Sequence, residues 1–202
     1  MKRIRNLIFL FLVFIVPLGQ AYAGDEGKSP STLVQETVDR IIAVVERLPG
    51  KEQTKERRAD IRKVIDPRFD FRQMAISSLG PSWNTITPEE QTKFTDVFSE
   101  LLAKTYLARI ENVRKGMVKV TGETTENPRS IVRTNVNHEG EIFPINYKLM
   151  LTPDAGWRVY DVVIENIGLV ANYRNEFSAI IRRDGFPGLM ERLINKNNKM
   201  SE

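Results

Sequence analysis

Between Gly156 and Phe177 the chain changes its hydrophobic period within a few residues. Trp157, Val159 and Val163 alternate with Arg158, Tyr160 and Val162, the two-residue period of a strand. Then Leu169, Val170, Tyr173, Phe177, Ile180 and Ile181 recur at helical spacing. Only a short polar joint separates the two patterns. A strand therefore runs straight into an amphipathic helix, which makes the fold a mixed one.

The residues ahead of this joint sort into helices first and strands after. Ser31 or Thr32 can cap a helix reaching Leu48, with Leu33, Val34, Val38, Ile41, Ile42 and Val45 as a wide apolar face. Pro49-Gly50 stops it. Thr54 to Ile65 reads as a second, highly charged helix that ends before Pro67. Asp70 caps a short helix to Leu79, stopped by Gly80-Pro81. Thr87-Pro88-Glu89-Glu90 combines a capping Thr, a Pro at the first helical position and a Glu three residues after the cap. It opens the longest helix of the chain, lined on one face by Phe94, Val97, Phe98, Leu101, Leu102 and Tyr106. After Gly116 the pattern turns to strands: Val118, Val120 and Gly122, then Val132, Thr134 and Val136. A turn at Asn137-His138-Glu139-Gly140 follows, then Phe143, Ile145, Tyr147, Leu149 and Leu151 alternate against Pro144, Asn146 and Lys148. Four strands joined by short turns predict an antiparallel meander. The final helix pattern breaks near Gly185, restarts at Phe186-Pro187, and gives way to a polar, frayed tail from Asn195. The expected class is α+β, helices packed on an antiparallel sheet of about four strands.

Met1 to Ala23 has the form of a secretory signal. Lys2, Arg3 and Arg5 precede the unbroken apolar run Leu7–Val16, and Ala21 and Ala23 supply the small residues read at cleavage. The run is short for spanning a bilayer. Cleavage after Ala23 leaves residues 24–202 as one domain, which is large enough for a real core, and Gly24 to Pro30 as a polar leader. The signal carries three of the 30 basic residues and no acid, so the net charge falls from +4 to +1 on its removal. No block of like charge remains for a nucleic acid. With no Cys there are no disulfides, no thiol chemistry and no lipid anchor on a cysteine.

Catalytic signatures are sparse. His138 is the only histidine, so transition-metal sites lack ligands. There is no Gly-rich phosphate loop and no G-x-S-x-G. Asp161 is the one candidate for acid–base work: placed on the face of Trp157, Val159 and Val163 and buried, it could act as a general base. The competing reading pairs Asp161 with a nearby Arg, makes it a helix cap, or turns this face to solvent. Asp70 and Glu165 read as helix-start acids. Tyr173-Arg174 either positions a head group or divides, Tyr173 into the core and Arg174 onto an acid.

Two blocks carry a family likeness. GWRVYDVVIENIGLVANYRNEF closely resembles the W-x-V-Y-D-V-x-x-E-G-V-S-L-V-x-N-Y-R-x-x-F signature of the MlaC family, with Asn166 and Gly168 in place of the usual Gly and Ser. Phe69 to Tyr106 is similar to the family's F-D-F-x-x-M-A-x-x-x-L-G-x-x-W-x-x-x-T-x-E-x-x-x-F-x-x-x-F-x-x-L-L-x-x-T-Y pattern. The family comprises phospholipid carriers of the bacterial periplasm, also called toluene tolerance proteins. The resemblance implies a nuclear-transport-factor-2-like fold, in which a curved sheet cradles helices over a lipid cavity. It implies a soluble periplasmic carrier, with no cofactor and no enzymatic step, that helps maintain outer-membrane lipid asymmetry. The expected partners are one diacyl phospholipid, an outer-membrane lipoprotein–porin complex and the inner-membrane MCE-domain protein of an ABC transporter; a monomer is expected. Relatives linked to hopanoid synthesis make a sterol-like cargo the alternative.

Two acyl chains hold about 30 methylenes, and at roughly 0.8 kcal/mol each their exposure to water costs on the order of 24 kcal/mol. A carrier therefore needs a deep, dry pocket, expected at or above roughly 1,000 Å³. Alternation and the resemblance together nominate its lining: Met74, Leu79, Trp83, Phe94, Phe98, Leu102 and Tyr106 from the helices. Val132, Val136, Phe143, Ile145, Tyr147, Leu149, Val162 and Ile164 come from the strands, and Leu169 and Tyr173 from the last helix.

Overall fold

The computed structural model describes residues 27–200. The signal and its cleavage after Ala23 lie outside the described residues. Helix α1 spans Pro30–Arg47. It begins two or three residues earlier than expected because Ser29 is the cap, its hydroxyl accepting the Thr32 N–H at 3.2 Å. Pro30 then takes the first helical position, where its missing N–H costs nothing. Helix α2, Thr54–Ile65, passes through a 3₁₀ turn at Asp66–Arg68 into α3, Phe71–Leu79. The Asp70 carboxylate caps α3 by accepting the Gln73 N–H at 2.8 Å. Helix α4, Pro88–Ile110, carries the expected capping box: Thr87 Oγ1 accepts the Glu90 N–H, and Glu90 Oε2 accepts the Thr87 N–H.

Strands β1 (Val118–Glu126), β2 (Arg129–His138), β3 (Glu141–Thr152) and β4 (Gly156–Ile164) form the expected antiparallel meander. A fifth strand, β5 (Ile167–Gly168), was not expected. It exists because Glu165 and Asn166 both take positive φ, 48° and 67°, and fold the chain back onto Val163 and Ile164. Two consecutive left-handed residues make the tight turn whose twist suits a hairpin. Glu165 is thus a turn residue and not a helix-start acid.

A bulge in β4 resets the faces of the sheet. Lys148 pairs with Asp161 and Leu149 with Val159, leaving Tyr160 without a partner. Trp157 and Val159 therefore share a face with Val162 and Ile164. The expected partition of Trp157, Val159 and Val163 against Val162 does not hold, because strict alternation stops at the bulge.

Helix α5 spans Leu169–Lys199 and is broken at Gly185, whose φ of 70° and ψ of 177° are not helical. The tail is not frayed from Asn195. Leu193 is buried, Asn197 donates to the Val97 carbonyl at 2.9 Å, and Lys104 donates to the Asn197 carbonyl at 2.8 Å. These contacts dock the last turns of α5 on α4.

The main core lies between α3, α4, α5 and the sheet. Its centre is aromatic: Phe98 meets Tyr173 edge-on at 5.1 Å and Phe177 at 5.4 Å, and Phe94 stacks on Phe98 at 5.6 Å. A second cluster joins α1, α2 and the C-terminal half of α4 through Ile41, Val45, Ile61, Val64 and Leu107. Glu111, 8 % exposed, accepts from Arg57 and Arg58 of α2 at 2.9 and 2.8 Å and ties that helix to the end of α4.

Candidate functional site

Between these two clusters the helices do not close onto the sheet. A cavity of about 640 Å³ remains, walled by α1, the C-terminal half of α4 and one face of β2 to β4. That volume is within the ordinary range for ligand sites and below the expected roughly 1,000 Å³. The difference has a physical source in the aromatic centre. Phe94, Phe98 and Tyr173 were expected on the wall, and instead they fill the space between α4 and α5.

Eleven of the expected lining residues do line the cavity: Met74, Leu102, Tyr106, Val136, Phe143, Ile145, Tyr147, Leu149, Val162, Ile164 and Leu169. Six do not: Leu79, Trp83, Phe94, Phe98, Val132 and Tyr173 are packed in the closed core. Val132 stands on the cavity side of the sheet, opposite Tyr147, but is fully buried. Trp83 is covered by the Arg72 guanidinium, 5.3 Å from its ring.

Sequence reasoning missed the contribution of α1, from which Leu33, Val34, Val38 and Ile41 reach the wall. The readable signal was the width of the apolar face of this helix, broader than one packing partner requires. Phe69 and Phe71, stacked at 5.7 Å, also line the cavity.

The wall is apolar in its interior and polar at its edges. Charged groups on the edge come from Arg62, Asp66, Arg68, Arg109 and Glu165. Arg62 is engaged by Glu100 and by Asp66. His138 is also on the edge, exposed, as the last residue of β2 opposite Glu141 and not within the turn.

Among the described residues, three hydroxyls belong to the wall. Thr37 donates to the Leu33 carbonyl at 2.7 Å. Tyr106 lies beside the Tyr173 phenol, and burial pushes its own phenol up. Tyr147 has no hydrogen-bond partner among the described residues, and burial alone pushes its phenol up to about 12.

Asp161 is off the wall. Its Oδ1 accepts the Val170 N–H at 3.1 Å and its Oδ2 accepts from Lys148 Nζ at 3.0 Å. Both oxygens are thus committed to holding the start of α5 and the β3–β4 pair. Arg174 reaches no acid among the described residues; its Nε donates to the Ser77 carbonyl at 2.6 Å and links α5 to α3.

Comparison with known proteins matches this arrangement. The family described as MlaC protein matches over residues 35–195. The intermembrane phospholipid transport system binding protein MlaC of Haemophilus influenzae is 20 % identical over 172 residues, which are 82 % of this chain and 80 % of that protein. Among solved structures, a phospholipid-binding protein from Ralstonia solanacearum in complex with a phospholipid superposes with a TM-score of 0.77 at 27 % identity. The match covers 87 % of this chain and all of that one. With the family matched across both the helical layer and the sheet, the chain belongs to the MlaC family.

Proposed function

We propose that this protein is a phospholipid carrier of the periplasm. The observation that carries the reading is the apolar cavity between α1, α4 and the sheet, bordered by charge. Such a surface suits acyl chains inside and a head group in water. Burying two chains offsets on the order of 24 kcal/mol of exposure, a gain that needs no covalent step. The relative crystallised with a phospholipid supports the same cargo for this chain.

In this reading Met1–Ala23 directs export and is removed, and residues 24–202 act as one lipid-binding domain, working as a monomer. The carrier exchanges lipid with an outer-membrane lipoprotein–porin complex and with the MCE-domain protein of an inner-membrane ABC transporter. Any energy input comes from the ATPase of that transporter, and the outcome is lipid asymmetry of the outer membrane. The protein is a carrier and not an enzyme, a view supported by the commitment of Asp161 to Val170 and Lys148.

The test is transfer. Mature protein is incubated with vesicles holding a fluorescent phospholipid, separated, and mixed with acceptor vesicles. The reading requires stoichiometric uptake and release. Absence of uptake from vesicles of any phospholipid, with sterol-like lipids taken up instead, would move the cargo to that class.

A further inference from the structure

The Tyr147 hydroxyl is the polar group that the packing of the wall does not explain. Tyr147 sits in the middle of β3, opposite Val132 on one side and Val162 on the other. Its strand neighbours on the same face are Ile145 and Leu149, so its surroundings are apolar. Of the other two wall hydroxyls, that of Thr37 donates to the Leu33 carbonyl and that of Tyr106 lies beside the Tyr173 phenol. The Tyr147 hydroxyl has no partner among the described residues, and it is not sealed within the protein. Its ring is half-buried only because it forms cavity wall. A phenol in such a place keeps its proton and acts as a donor, in keeping with the upward push of burial.

An unmet donor in an apolar wall loses the bond it would have in water. Ligand cavities use a few such groups, placed in otherwise apolar linings, to fix orientation and select the ligand. A diacyl lipid carries few acceptors below its phosphate, and these are the ester oxygens at the head of each chain. We propose that the Tyr147 hydroxyl donates a hydrogen bond to an acyl-ester carbonyl of the bound lipid, so that the cavity selects ester-linked diacyl lipids over their ether-linked counterparts. This rests on the cavity being the lipid site. Within it, Tyr147 is the residue that reads how the chains are attached, while the rest of the wall reads only that they are apolar.

The experiment compares uptake by the mature protein from vesicles of dipalmitoyl phosphatidylglycerol and of its dihexadecyl ether analogue. Wild-type protein is expected to favour the ester lipid about fivefold, the size of one neutral hydrogen bond. Tyr147→Phe is expected to bring the ratio to one through loss of ester uptake, with ether uptake unchanged. Tyr160→Phe, at the β4 bulge and off the wall, should keep the wild-type ratio. A second readout does not depend on the variant folding. With ¹³C-labelled ester carbonyls, the infrared band of lipid bound to wild-type protein should move to lower wavenumber than in a dry apolar solvent. A wild-type ratio of one, an unshifted carbonyl band, or a preference that survives in Tyr147→Phe would overturn the proposal. Failure of wild-type protein to take up either lipid would instead overturn the carrier reading, and this proposal with it.

Discussion

The Asp161 carboxylate accepts the backbone N–H of Val170 at 3.1 Å, across the joint where strand becomes helix. Val170 is the second residue of α5, and the cap position itself is Gly168, which has no side chain to offer. Asp161 thus acts as a cap from a distance, and its negative charge lies at the positive end of the helix dipole. The same carboxylate holds Lys148 of β3.

This role predicts a stability effect from Asp161. Asp161→Ala should cost about 1–2 kcal/mol in urea unfolding, as for loss of a helix cap, whereas Asp161→Asn keeps an acceptor and should cost less. Phospholipid occupancy of the Asn variant should match wild type. Loss of lipid from a well-folded Asn protein would place Asp161 in the site after all.

Gly168 offers the converse experiment. A Cβ there would meet Asp161 Oδ2 at 3.5 Å and Ala171 Cβ at 3.6 Å, ordinary contacts. The backbone, at φ −69°, suits any residue. Gly168→Ser should therefore add a local cap and raise stability by a few tenths of a kcal/mol. A fall in the unfolding midpoint would show that the Ser competes with Asp161 for the same N–H groups.

Wall and core residues should separate cleanly. Ile145→Trp projects bulk into the cavity from a half-buried position and should displace lipid while the unfolding midpoint stays close to wild type. Phe98→Ala removes a fully buried ring from the aromatic centre and should cost about 3–5 kcal/mol. Val132→Arg belongs with the second kind, because Val132 is fully buried off the wall. Lipid extracted per folded molecule, measured beside denaturation curves, distinguishes the two classes.

Alkaline pH should destabilise the fold in a defined window. Burial pushes the phenols of Tyr147 and Tyr173 up to about 12, above the ordinary value near 10. Between these values the unfolded chain has lost protons that the folded chain retains. Stability is therefore fully present below pH 10 and is lost as the pH rises towards 12. Tyr147→Phe and Tyr173→Phe should each flatten that decline. An equally steep decline in both variants would assign it to other groups.

Local chemistry made most of the elements legible. Thr87 with Glu90, and Asp70 ahead of α3, act through bonds spanning three residues, so the sequence displays them directly. The bulge at Tyr160 was not legible, since it is defined only by which β3 residues stand opposite β4. The same holds for the six residues that fell outside the cavity. Phe94, Phe98, Leu102 and Tyr106 lie on one apolar stripe of α4, and nothing local separates them. What separates them is the partner: Tyr173 and Phe177 of α5 cover the first two, while α1 and the sheet stand further off from the last two. The tail after Asn195 looked polar enough to fray, yet Asn197 finds the Val97 carbonyl one hundred residues earlier in the chain.

The central claim is that the cavity holds a phospholipid, and native mass spectrometry of the mature protein, purified from periplasm without detergent, tests it most directly. The account predicts a mass excess of one diacyl phospholipid per chain, identified after extraction. A bare protein mass, together with no uptake from labelled phospholipid vesicles, would contradict it.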